Sequence, residues 1–126
     1  MKYLCDTHVL IWWLNGDQRL NKPIKSILAD GNNIIYVSVA SAWEISLKLK
    51  TNPQFRLKVP IEECFQKSGF EVLEITLSHV VQLHKLPLHH HDPFDRMLIA
   101  QAQAENASLI TVDGKIGKYK VGLVKA

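Results

Sequence analysis

The chain has almost no cysteine, no long apolar run and no marked excess of one charge, and each absence removes a class of protein. Its two cysteines, Cys5 and Cys64, are too few for a disulfide framework and lack metal-ligand spacing. Cys5 falls inside an apolar stretch and reads as a small core residue, which suits a reducing, cytoplasmic setting. Nothing approaches the ~20 consecutive apolar residues that span a bilayer. The apolar run 9–14 follows an aspartate and a histidine and is too short for a secretory leader. The expectation is a protein without membrane attachment. A net charge of +3 permits a polyanionic partner without demanding one, because dedicated nucleic-acid surfaces usually carry a more basic balance.

What is present is ordinary globular material: 47% apolar and 21% charged residues over 126 positions, with no repeat, low-complexity tract or linker. That length suits one domain, 1–126, with a genuine core. Strand and helix patterns alternate. Strands are predicted at 2–5, 34–38, 71–75, 108–112 and 121–124, and helices at 9–14, 23–29, 41–49, 60–67, 78–84 and 93–105. Asn15-Gly16-Asp17, Asp30-Gly31-Asn32-Asn33 and Ser68-Gly69 break the chain between them. Five short strands alternating with helices predict an α/β/α sandwich around a mostly parallel sheet. In such folds the active site lies beyond the carboxyl ends of the strands, where strand order reverses.

Four acidic residues map to that edge. Asp6, Glu44 and Asp113 follow three predicted strands, and Asp95 opens the helix leading into the fourth. Crowded carboxylates repel and are costly to desolvate unless a cation lies between them. Oxygen-only ligands suit a hard ion, Mg²⁺ or Mn²⁺. Each acid also has a structural explanation taken alone. Ser41-x-x-Glu44 has the form of a capping box, Asp92 can cap a helix that has Pro93 first and Asp95 third, Asp6 can cap the first helix, and Asp113-Gly114 is a turn pair. Capping alone, however, gives no reason for acids from four separate segments to meet.

Other residues invite weaker readings. Three consecutive histidines, His89-His90-His91, do not easily face one ion, so we read them as a solvated loop or groove rim rather than a zinc site. His8 could face the site or merely open a helix. Trp12, Trp13 and Trp43 read as core or partner-interface packing rather than base-stacking platforms. Lys115, Lys118, Lys120 and Lys125 make the C-terminal segment basic; Lys115 and Lys118 follow Asp113 and could hold phosphates, or be plain surface. Arg96 could ion-pair on its helix, contact substrate or contact another segment.

Leu4-Cys5-Asp6-Thr7-His8, Trp43-Glu44-Ile45, Asp92-Pro93-Phe94-Asp95-Arg96-Met97-Leu98-Ile99-Ala100-Gln101-Ala102 and Leu109-Ile110-Thr111-Val112-Asp113 together resemble the PIN domain family. More narrowly they are similar to the VapC-type toxins of bacterial type II toxin–antitoxin pairs. The resemblance runs over nearly the whole chain, and the segment from Asp92 is its most specific part. It implies a Mg²⁺-dependent endoribonuclease, homodimeric and inhibited by a small cognate antitoxin whose C-terminal segment lies across the active-site groove. By position, Asp6, Glu44, Asp95 and Asp113 match the family's acidic quartet, and Thr111 a hydroxyl residue near it. Asp92 reads as the cap. Thr7, Thr111, Arg96, Lys115 and Lys118 are the expected supporting or substrate-binding residues.

The implied chemistry is hydrolysis of an RNA phosphodiester by a metal-activated water, with Asp6 and Asp95 the firmest ligands and Asp113 the most peripheral. Two other classes fit the same residues. One is an aspartyl-phosphate phosphatase or receiver-like domain using Asp6, although no second aspartate follows two residues on. The other is a non-catalytic RNA- or protein-binding module, which an acidic groove would serve poorly without a metal.

Overall fold

Alternation along the first strand, β1 (Lys2–Cys5), sends Tyr3 and Cys5 to one face of a sheet and Leu4 to the other. The same division holds in β2 (Ile34–Ser38), where Ile35 and Val37 oppose Tyr36, and in β4 (Ser108–Thr111), where Ile110 opposes Leu109. Short edge strands β3 (Glu71–Leu73) and β5 (Leu123–Lys125) complete the order β3-β2-β1-β4-β5. This computed structural model describes residues 1–119 and 121–126; the side chain of Lys115 also lies outside the described set.

Each face of the sheet carries its own core. Against Tyr3, Cys5, Val37 and Ile110 pack α1 (Thr7–Asn15), α2 (Lys22–Ala29) and α4 (Ile61–Lys67), with Ile45 of α3 (Val39–Thr51). Against Leu4 and Leu109 pack α5 (Leu77–Lys85) and the apolar stretch Leu98–Ala100 of α6 (Pro93–Glu105). The result is the expected α/β/α sandwich, with one refinement: all four strand pairings are parallel. Such strands are buried on both faces, which is why β1 and β4 read as nearly unbroken apolar runs.

Helix ends follow local chemistry. Asp6 caps α1 by accepting from Val9 N–H at 2.8 Å, and Gly16 closes it in the left-handed region. Asp92 Oδ1 accepts from the Phe94 and Asp95 N–H groups at 2.9 and 3.0 Å, with Pro93 in the first turn. Asn106, at φ 55°, ends α6. The expected Ser41–Glu44 capping box does not form. Ser38 caps α3 instead, accepting from Ala40 N–H at 2.9 Å, so the helix starts at Val39 and Glu44 falls in its second turn. A 3-10 helix, Gly114–Lys118, follows β4; apolar spacing gave no sign of so short an element. β3 stops at Leu73, and β5 begins two residues later than expected.

A buried polar chain ties β2 to α5 and α6. Ser38 Oγ donates to Gln101 Oε1 (2.5 Å), Gln101 Nε2 reaches His79 Nδ1 and Glu74 O (3.3 Å each), and His79 Nε2 meets Glu105 Oε2 (2.9 Å). Among the described residues no helix is long and apolar enough to cross a membrane.

Candidate functional site

Strand order reverses between β1 and β4, because the chain moves outward from β1 through β2 and β3 and then crosses back. Asp6 follows β1 and Asp113 follows β4, so both stand at this switch point. Asp6 is 3% exposed, and both its oxygens are engaged. Oδ1 caps α1, while Oδ2 accepts from Thr111 Oγ1 at 2.5 Å and Val112 N–H at 3.1 Å. A carboxylate held on both oxygens results. A side chain so enclosed is not placed to attack phosphorus itself, which counts against the phosphatase and receiver readings. Thr7 donates to Ser41 Oγ at 3.0 Å and ties the start of α1 to α3.

Asp95, at the third position of α6, lies among these acids. Its carboxyl is pushed up to about 6, by burial first, then by the Asp92 charge; His90 opposes the shift, and Glu44 and Asp6 add to it. The charges of Glu44 and Asp6 thus reach Asp95. Glu44 supplies a further sign. Among the described residues its Oε1 is the one buried side-chain oxygen or nitrogen without a hydrogen-bond partner. Such an atom costs about 1–3 kcal/mol, so native structures rarely keep one without reason.

Asp113 joins the cluster through a residue that sequence reasoning put on the rim. His90 Nε2 lies 3.0 Å from Asp95 Oδ2 and 3.0 Å from Asp113 Oδ2, with its side chain only 12% exposed. His89 and His91, by contrast, are exposed, as expected. One atom from each of His90, Asp95 and Asp113 lies within 4.8 Å of the others. Asp113 is further held by its N–H, which donates to Thr111 Oγ1 at 3.0 Å.

Arg96 turns away from the acids. Its guanidinium donates to Pro87 O at 2.9 Å and to Tyr119 Oη at 3.2 Å, pinning the loop before α6, so of its three readings contact with another segment holds. Lys118 is exposed and lines a groove with Lys85, His89 and Tyr119, apart from the four acids. Lys115 falls on a side chain outside the described residues, and Lys120 lies outside them altogether. Trp12 and Trp13 pack against the core, whereas Trp43 is 60% exposed beside Glu44, with its ring edge-on to Phe94 at 5.0 Å. Burial pushes the Cys5 thiol up, and the Asp6 charge adds to it, leaving an inert core residue.

The residues present fit a hard divalent cation. Burial and the Asp92, Glu44 and Asp6 charges raise Asp95, His90 joins Asp95 to Asp113, and one Glu44 oxygen is orphaned, an environment that a 2+ charge would relieve.

Comparison with known proteins identifies the family and the fold. The PIN domain family matches residues 3–121, and the chain belongs to that family. Solved structures share its fold at low identity. VapBC2 from Rickettsia felis, bound to a promoter DNA fragment, gives a TM-score of 0.77 at 19% identity, covering 99% of this chain and 98% of that one. VapBC-1 from nontypeable Haemophilus influenzae gives 0.67 at 17%, with the same coverage. A toxin–antitoxin complex from Klebsiella pneumoniae gives 0.67 at 20%, covering 97% and 95%. No curated protein matches the chain by sequence.

Proposed function

We propose that this chain is a Mg²⁺-dependent endoribonuclease, Mn²⁺ serving as a substitute, and the toxin of a type II toxin–antitoxin pair. The His90–Asp95–Asp113 cluster at the switch point, the Glu44 and Asp6 charges acting on Asp95, and the orphaned Glu44 Oε1 carry the reading. Membership of the PIN domain family supports a nuclease, and the likeness of fold to VapBC complexes supports an antitoxin as partner.

Asp6, Glu44 and Asp95 hold the ion, with Asp113 at its margin. An ion held there would supply activation of a water and compensation of charge on the scissile phosphate. Thr111 and the Val112 N–H hold Asp6 aimed, so the first ligand needs no reorganisation when the site fills. The N-terminus of α6 favours the charged form of Asp95 by about 0.3–1 kcal/mol, a partial offset to its neighbours. Thr7 holds the α3 end that carries Glu44. Lys118, and Lys115 by its position, supply positive charge for the RNA backbone.

The antitoxin's C-terminal segment crosses the groove where Trp43 stands exposed beside Glu44. Leu77, Val80 and Val81 of α5 form an exposed apolar face suited to a second copy, giving a homodimer. Two free, buried thiols suit the cytoplasm. Inducible expression in bacteria tests the toxin role. Wild type arrests growth and new RNA fragments accumulate, whereas Asp95→Asn, at equal protein level, does neither. Growth arrest by both would contradict the assignment.

A further inference from the structure

We propose that His90 is a resident competitor for the metal: its N–H occupies oxygens of Asp95 and Asp113 until a divalent ion displaces it. The inference rests on the metal-nuclease reading above and concerns how that site is loaded.

Hydrogen bonding assigns the tautomer. Asp92 N–H donates to His90 Nδ1 at 3.3 Å, so Nδ1 is an acceptor and the ring proton sits on Nε2. Nε2–H then points between Asp95 Oδ2 and Asp113 Oδ2, 3.0 Å from each. A ligand role would require the opposite arrangement. Freeing the Nε2 lone pair moves the proton to Nδ1, where it meets the Asp92 N–H, donor against donor. As built, His90 donates between two carboxylates at once, and the oxygens it occupies are ones a metal needs.

Apart from the Asp92 N–H, the loop 86–92 is anchored by contacts that do not involve the ring. Tyr119 Oη accepts from the N–H groups of His89 (3.1 Å) and His90 (2.8 Å) and donates to Pro87 O (2.9 Å). Arg96 donates to Pro87 O as well. These anchors are all backbone contacts of the loop. Departure of the imidazole would cost the loop only the Asp92 N–H contact and leave these anchors in place.

The test counts bound metal and needs no RNA. Metal-stripped wild type, His90→Ala and His90→Gln are titrated with Mn²⁺, and free ion is measured by electron paramagnetic resonance. His90→Ala should bind about tenfold more tightly, the equivalent of losing one competing hydrogen bond of ~1.4 kcal/mol. His90→Gln, which keeps an N–H donor at similar reach, should stay near wild type. Unchanged affinity in His90→Ala overturns the proposal, and weaker affinity does so in favour of a ligand role. Absence of Mn²⁺ binding by all three proteins would overturn the metal-nuclease reading, and the plug with it. Normal wild-type binding with an indifferent alanine variant would sink the plug alone. Should His90→Ala fail to fold, ¹⁵N spectra of the wild-type imidazole decide: the hydrogen-bonded Nε2–H should vanish on Mg²⁺ saturation, and its persistence overturns the proposal.

Discussion

Asp6 and Asp95 carry one functional group in opposite circumstances. Asp6 has donors on both oxygens, whereas Asp95 is raised to about 6 by burial and by negative neighbours. Neutralising each should therefore affect stability with opposite sign. Because the folded pKa of Asp95 exceeds its ordinary value, the folded state binds that proton more tightly. Its stabilising share is full below about pH 4 and is lost as pH rises through about 6. In metal-free protein, Asp95→Asn should raise the melting temperature at about pH 7.5 but not near pH 4. An equal shift at both would contradict the electrostatic origin. Asp6→Asn should cost about 1–3 kcal/mol in urea denaturation, since its amide cannot accept from all three donors. The candidate acids Asp6 and Asp95 stood out in the sequence because one directly follows a strand and the other lies at a helix start, whereas Glu44 falls in the second turn of α3. His90 was not legible. Its aim depends on Tyr119, 29 positions away, accepting its backbone N–H, and no local pattern encodes that.

At the level of elements, binary patterning carried most of the fold, since strands buried on both faces and capped helices leave plain marks. The start of α3 escaped because Ser38 and Ser41 are both acceptable caps. The β2–β3 ladder decides it by holding Ser38 extended beside Leu73. Ser38 also begins the polar chain through Gln101 and His79, which joins β2, α5 and α6. Gln101→Leu would strand its buried partners and should destabilise the protein by about 2–3 kcal/mol in urea denaturation. A variant as stable as wild type would show that the chain is incidental. Asn106 holds φ 55° at the end of α6. Asn106→Gly should be neutral or stabilising, whereas Asn106→Val should lose about 1–2 kcal/mol. Thermal melts of the pair check this, and equal stabilities would argue against the left-handed cap.

For the molecule as a whole, the parallel sheet does two things at once. Its two faces supply separate cores, and its switch point places Asp6 and Asp113 just past adjacent strands. A ligand that binds only the folded state stabilises it by mass action, so Mn²⁺ should raise the melting temperature of wild type and leave Asp95→Asn nearly unmoved. The most direct measurement is cleavage of a total bacterial RNA pool by purified, partner-free protein with Mg²⁺ or Mn²⁺, with EDTA, and with Asp95→Asn. Discrete fragments that vanish with both EDTA and the variant are the predicted result. Cleavage that persists in EDTA, or that Asp95→Asn retains, would contradict a metal nuclease built on these acids.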